Sequence, residues 1–446
     1  MSVVKNIPEV STFTFLRQAI SILNNPLPFH HKNFERYGDT FKLNVGPKSY
    51  AIFSRDAELA EYVLQKNWKN YKKSPIQTKD LAKYLGQGLL TAEGDHWRTQ
   101  RKLIQPAFHK KHIEHLLTVI KQTIVDELTA IEPNKDIDVL PMFSNLAFKV
   151  VVKALFSNAA SDSEIKLLQD VTEENQEMLV KELRQPYLAW YFKHFGIIEK
   201  HLSRSKASRD VLQTIINKRR NSSIEYNDLL DMLLQTRYDD GSQMSDEQLI
   251  DEILVLFVAG HETTANALSF AVQLLAQHPN WQTKVVEQYQ QVLEQHDADI
   301  MSEIAMSAYA KQVVEETLRL YPPAYFIDRV NIEDDSFKTY QFKKESSILL
   351  SIIEIHKHKD LWENPEEFNP NRFSPEKAKS YSSQYFPFGA GPRKCIGNNF
   401  AMYEMIIAIS EVLLRFEILP TKDTIEINPL ITLKPKNAIV RLQPRA

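Results

Sequence analysis

The chain has 446 residues, 43% of them hydrophobic and 25% charged, with a formal net charge of -3 and one cysteine. That balance suits a folded protein with a large core and excludes a disordered one; the weak net charge, with no long basic block among aromatics, excludes nucleic acid as a partner. One cysteine rules out an internal disulfide and zinc sites of several thiolates, so nothing argues for an oxidising compartment, and a cytoplasmic protein is expected.

Near the N-terminus the most apolar stretch, residues 13–23, is interrupted by Arg17 and falls far short of the ~20 apolar residues that span a bilayer. It also lacks the clean apolar core and small-residue cleavage site of a signal peptide. No transmembrane segment is expected, and peripheral membrane contact stays open. Residues 40–45 and 49–53, separated by Gly46 and Pro47, read as a hairpin. Apolar residues at three- and four-residue steps predict helices over 113–131, 227–235 and 402–414, while 347–353 and 438–442 read as strands. With no fixed-period repeat, Gly/Ser linker or composition break, the expectation is one domain over residues 1–446, mainly α with small β-sheets.

The longest predicted helix starts at Ser245, with Gln248 as capping-box partner, and runs to about residue 278, where Pro279 stops it. At 1.5 Å per residue it would be ~50 Å long and cross the domain. Leu254, Val255, Leu256, Phe257, Val258 and Ala259 make its first half apolar all round, so the helix is central and buried. Gly260, Glu262, Thr263 and Thr264 are then costly residues in its middle and need an explanation.

The cysteine lies in Phe388-Gly389-Ala390-Gly391-Pro392-Arg393-Lys394-Cys395-Ile396-Gly397, ahead of a helical segment from about Asn398. A lone cysteine is usually a small buried hydrophobe. Here the glycines and proline let the backbone turn sharply and approach a flat partner, and they place Cys395 at a helix N-terminus, where amide hydrogens and the helix dipole favour the thiolate. A thiolate with Arg393 nearby suits a haem iron and its propionates.

This segment resembles the cysteine-ligand loop of the cytochrome P450 family, F-G-x-G-x-R-x-C-x-G, at every fixed position. Glu316-Thr317-Leu318-Arg319 resembles the family's E-x-x-R element, and Phe368-Asn369-Pro370-Asn371-Arg372-Phe373 the segment that supplies a second arginine. Apart from the resemblance, Glu316 and Arg319 make an ordinary helical i,i+3 pair. With it, Glu316, Arg319 and Arg372 form a buried network bracing the ligand loop. Trp97-Arg98-Thr99-Gln100-Arg101 resembles the family's W-x-x-x-R helix, whose spacing of four aims an indole N–H and a guanidinium at one anion. The resemblance implies that Trp97, Arg101, Arg329 and Arg393 hold the haem propionates, and that Phe388, Gly389, Gly397, Ala259 and Gly260 lie against the cofactor.

Ala259-Gly260-His261-Glu262-Thr263-Thr264 resembles the family's oxygen-activating segment. The resemblance implies that Gly260 lets the helix open against the haem, that Thr263 hydrogen-bonds dioxygen, and that Glu262 relays protons as the O–O bond breaks with loss of water. A threonine can instead satisfy itself on a carbonyl one turn back. His261 has two readings, a local hydrogen bond inside the protein or a donor to a substrate oxygen.

The implied protein has the cytochrome P450 fold, with haem b between the long central helix and the Cys395 loop. It is a monooxygenase of the soluble bacterial type that inserts one oxygen atom from O2 into an organic substrate, by hydroxylation or oxidative O-demethylation. Electrons come from NAD(P)H through a reductase and a separate ferredoxin- or flavodoxin-type carrier, which Arg98, Lys102, Lys110, Lys111 and Lys394 would attract; a monomer is expected. By the family's layout the pocket walls are residues 74–90, 177–195, 255–263, 324–327 and 430–432, mixing apolar residues with Gln77, Arg184, Gln185 and His261. The default substrate is an apolar fatty acid or terpenoid, the minority reading a methylated sugar or other polar ether. The same scaffold admits a peroxide-driven peroxygenase or isomerase, or a non-catalytic haem sensor or carrier; Glu262 and Thr263 argue for the monooxygenase.

Overall fold

The computed structural model describes residues 6–46, 49–157, 159–295, 298–422 and 424–445. Each of two compact units is assembled from separated stretches of chain.

The first unit takes residues 1–74, 308–396 and 423–438. Its six-stranded sheet runs, in spatial order, Glu9–Val10, Thr40–Gly46, Ser49–Ser54, Ser347–Ser351, Phe326–Asn331 and Tyr71–Lys72. The predicted hairpin is antiparallel, with Phe41 opposite Phe53 and their rings stacked at 5.1 Å; its turn residue Pro47 lies outside the described residues. Alternation sets the sheet faces: Ile348 and Leu350 pack with Ile52, Leu59, Ile352 and Phe386, whereas Leu349 packs on the cluster of Phe29, Phe34, Phe41 and Phe53. The predicted strand over 347–353 ends early, at Ser351, and the chain turns into the helix Ile352–His356. The Tyr325 carbonyl accepts from the amides of Ile352 and Ile353 and fixes that turn, overriding the β preference of two isoleucines. Helix Ala308–Leu320 carries Glu316 and Arg319. The helix Thr12–Asn24, capped by Ser11, leaves Phe13, Leu16 and Ile20 exposed.

Residues 75–307, 397–422 and 439–446 form the second unit. It is built from helices, among them Gly94–Ile104, Lys110–Thr129, Val139–Phe156, Asp162–Arg184, Ile197–Arg220, Leu229–Gln235, Asp246–Gln277 and Asn398–Arg415, with a three-stranded sheet of Phe416–Pro420, Ile439–Pro444 and Asp136–Asp138. Asp246–Gln277 is the long helix, 32 residues capped by Ser245, whose side chain accepts from the Gln248 amide at 3.2 Å. Of the predicted capping box this is the half that forms: the helix has no return bond from the Ser245 amide to the Gln248 side chain, whose nitrogen donates to Glu252 and to the Gln87 carbonyl. Phe257 stacks on Phe148 of Val139–Phe156 at 5.5 Å. Both helices are long and apolar enough to cross a membrane, and both are mostly buried in the protein. Residues 76–85, within the stretch 74–90 expected to wall the pocket, form a π-type turn and a short helix.

Candidate active site

In the first unit, Gly389 and Gly391 turn the chain ahead of Cys395 with φ of 68° and 67°, which an L side chain rarely adopts. At Gly391 a Cβ would sit 2.0 Å from the Leu64 carbonyl oxygen, so only glycine lets the loop lie against residues 64–65. Inside the loop the Gly389 amide donates to the Phe386 carbonyl at 3.0 Å and the Cys395 amide to the Phe388 carbonyl at 2.9 Å. Cys395 itself is exposed, where a cysteine kept as a small hydrophobe would be buried. Helix Asn398–Arg415 begins three residues later in sequence. At Gly397 a Cβ would meet only ordinary contact with Phe108, so its own packing does not demand glycine.

Glu316 and Arg319, in the same unit, are fully buried. Arg319 donates to both Glu316 oxygens at 2.8 Å, and its remaining N–H groups go to the carbonyls of His356, Pro365 and Glu367. Arg372 reaches Glu316 at 3.4 Å and the Asn364 carbonyl at 2.9 Å, and the Asn369 amide adds a bond to Glu316. The ordinary surface-pair alternative is thereby excluded: the pair is buried and every contact named is to a fixed partner.

Sequence reasoning missed His356. Its ring, fully buried, accepts from the Phe386 amide through Nε2 at 2.8 Å, while Nδ1 lies 3.2 Å from the Arg319 carbonyl. Burial, helped by the Arg319 charge, lowers its pKa to about 3. The only signal in sequence was a histidine closing an apolar run, Ile352-Ile353-Glu354-Ile355-His356, which names no partner.

Among the expected propionate contacts, Arg393 donates through Nη1 to the Tyr71 carbonyl at 2.9 Å and the Trp68 carbonyl at 3.3 Å, its guanidinium over the Trp68 ring. Tyr71 is fixed in turn by its hydroxyl bond to Asp335 at 2.6 Å. Arg329 is buried on Phe326–Asn331 and donates to the Asp328 carbonyl.

In the second unit, Trp97 is buried on Gly94–Ile104, and Arg101 donates to Gln105, the residue that caps that helix's C-terminal end. Arg98 pairs with Asp95 and Lys102 with Asp239, so acids already offset two of the expected partner-attracting cations. On the long helix Leu256, Ala259, Gly260 and Thr263 are incompletely covered, with Val258 beside them. The first four recur at steps of three and four and share one face of a helix that, Val258 apart, is buried at every other position from Leu249 to Ala276. Thr263 donates to the Ala259 carbonyl at 2.7 Å, the one-turn-back bond the sequence left open. Glu262 is buried.

Two positions on the long helix pack against its neighbour Val139–Phe156. The helix runs unbroken through Gly260, whose missing side chain serves packing: a Cβ there would meet the Val151 side chain at 2.8 Å. His261 turns toward Val139–Phe156, with Nε2 at 2.7 Å from the Ser144 hydroxyl and its ring edge-on to Phe148. Its neighbours on that helix supply the hydrogen bond for which a substrate oxygen was the rival reading.

Among the described residues no group of three or more His, Cys, Asp or Glu side chains is placed to hold a bare metal ion. An exposed cysteine on a glycine-turned loop instead fits a flat metal complex bound through one thiolate. A mainly helical fold with small sheets carrying such a loop is the class of haem-thiolate proteins.

The comparisons agree. The cytochrome P450 family profile matches residues 5–442. Cytochrome P450 CYP72A616 of Paris polyphylla is 30% identical over 90% of this chain and 79% of its own length. The cyclooctat-9-en-7-ol 5-monooxygenase of Streptomyces melanosporofaciens is 27% identical over 92% of this chain and 88% of its own. The crystal structure of the cytochrome P450DA heme domain superposes with a TM-score of 0.85, at 19% identity, covering 100% of this chain and 99% of that one. The chain belongs to the cytochrome P450 family, and it is a haem-dependent monooxygenase of the oxidoreductase class.

Proposed function

We propose that the protein inserts one atom of dioxygen into an apolar organic substrate, a fatty acid or terpenoid, with haem b that Cys395 would hold through its thiolate. The observation that carries the proposal is Cys395 itself, exposed on a loop that turns at Gly389 and Gly391 and closes on its own backbone hydrogen bonds. Haem bound there supplies the activation of dioxygen. Trp97, Arg101, Arg329 and Arg393 would hold its propionates by charge-assisted hydrogen bonds.

Thr263 Oγ1 keeps its proton on the Ala259 carbonyl at rest. With haem and dioxygen bound, a χ1 rotation would turn that proton toward the oxygen, and Glu262 would relay the replacement proton from solvent. Ala259 and Leu256 offer the substrate an apolar wall. The relative named for oxidising cyclooctat-9-en-7-ol supports an apolar substrate. The orientation of His261 removes a polar contact that a methylated-sugar substrate would have used. The electrons come from NAD(P)H through a separate ferredoxin- or flavodoxin-type carrier, and the enzyme works as a monomer.

The test is turnover under labelled dioxygen with reductase, carrier and a panel of fatty acids and terpenoids. One labelled oxygen per product, dependent on the carrier, is expected. Equal turnover with peroxide alone and no carrier would replace the proposal with a peroxygenase.

A further inference from the structure

We propose that His356 is the positioning residue that couples the Glu316–Arg319 core to the cysteine-ligand loop, acting as a fixed neutral tautomer. The inference rests on Cys395 being the haem ligand and deepens that assignment.

A continuous path of hydrogen bonds and peptide units joins the core to the loop. His356 lies 3.2 Å from the Arg319 carbonyl through Nδ1 and 2.8 Å from the Phe386 amide through Nε2. The Phe386 carbonyl accepts from the Gly389 amide, and the Phe388 carbonyl accepts from the Cys395 amide. The same Arg319 that holds Glu316 thus reaches the backbone of Cys395 through one imidazole.

The partners fix the protonation state. An amide N–H can only donate and a carbonyl can only accept, so Nε2 must be bare and Nδ1 must carry the proton. A second proton would set Nε2–H against Phe386 N–H. The ring is fully buried and its surroundings give it no slack: Trp362 lies edge-on at 6.2 Å and the Tyr385 ring at 5.2 Å, with the Tyr385 hydroxyl donating to the Glu315 carbonyl. Without the imidazole, Phe386 N–H and the Arg319 carbonyl would each lose a buried partner. The loop would then lose its tie to the core at the point where Gly389 begins to turn it.

The test uses the holoenzyme and two variants. In wild type, nitrogen NMR of His356 should show the Nδ1–H tautomer; an Nε2–H or doubly protonated ring at neutral pH overturns the proposal without any variant having to fold. In His356→Leu the Phe386 amide should exchange with deuterium roughly tenfold faster or more, the scale of one buried hydrogen bond lost. The thiolate form of the reduced carbon monoxide complex should also decay faster, and the iron–sulfur stretching frequency should shift. His356→Gln, which keeps a donor and an acceptor, should recover part of each change. Wild-type Phe386 exchange and a wild-type iron–sulfur frequency in folded His356→Leu overturn it. A wild-type protein lacking the thiolate spectrum would instead refute the ligand assignment, which tautomer and amide exchange do not report.

Discussion

Arg319 grips Glu316 in a two-bond fork, Nε to Oε2 and Nη2 to Oε1, each at 2.8 Å, and neither side chain reaches solvent. Removing Glu316 leaves two buried arginines without their carboxylate, and removing Arg319 leaves Glu316 only the 3.4 Å contact with Arg372 and the Asn369 amide, a loss of about 3–5 kcal/mol. Glu316→Ala and Arg319→Ala should therefore fail to incorporate haem, and Glu316→Gln should retain part of it. Haem content per chain and the thermal midpoint measure this; holo-protein at wild-type yield from the alanine variants would remove the structural role.

Cys395→Ser should abolish the red-shifted Soret band that thiolate-ligated haem shows when reduced under carbon monoxide. The backbone bond from residue 395 to Phe388 survives this change, so the chain should still fold. A histidine-type spectrum in the folded wild type would show that another residue holds the iron.

Thr263→Ala should uncouple the reaction, with NAD(P)H consumption kept, product lower and peroxide higher. Thr263→Ser keeps a hydroxyl able to donate to the Ala259 carbonyl and should stay close to wild type. Peroxide assay beside product yield separates this from simple loss of activity, and unchanged coupling in the alanine variant would take Thr263 out of the mechanism.

His261→Ala should weaken the protein without changing what it binds. The variant loses the Ser144 hydrogen bond and the edge contact with Phe148, which amounts to about 1–3 kcal/mol of stability. Denaturant titration and spectral substrate titration check the two halves; weaker substrate binding at unchanged stability would return His261 to the substrate.

Acid should destabilise the first unit through two buried histidines, His30 and His356, each lowered from 6.5 to about 3, chiefly by burial. Above pH 6.5 both are neutral folded or unfolded, so they add no pH dependence there. Between 6.5 and 3 the unfolded chain takes up protons that the folded chain refuses, and stability falls by about 1.4 kcal/mol per pH unit for each histidine. Below 3 the effect levels off. Denaturant midpoints across this range should fall with pH, and His30→Leu should flatten the slope; an unchanged slope would mean that His30 is protonated in the native state.

Much of the chemistry was legible in the chain because it is carried by local spacing. The segment from Phe388 to Gly397, the pair Glu316 and Arg319 one helical turn apart, and the helix from its Ser245 cap to Pro279 each depend on residues close in sequence, where backbone geometry fixes what faces what. Tertiary structure decided what spacing leaves free. A glycine in mid-helix has no side chain to show its purpose, and only the neighbouring Val151 gives Gly260 its packing role. A histidine's ring points wherever a partner accepts it: His261 finds Ser144, and His356 joins Arg319 to Phe386, contacts 117, 37 and 30 residues apart. Ile352 and Ile353 favour a strand by themselves and became helix because the Tyr325 carbonyl, distant in sequence, captured their amides.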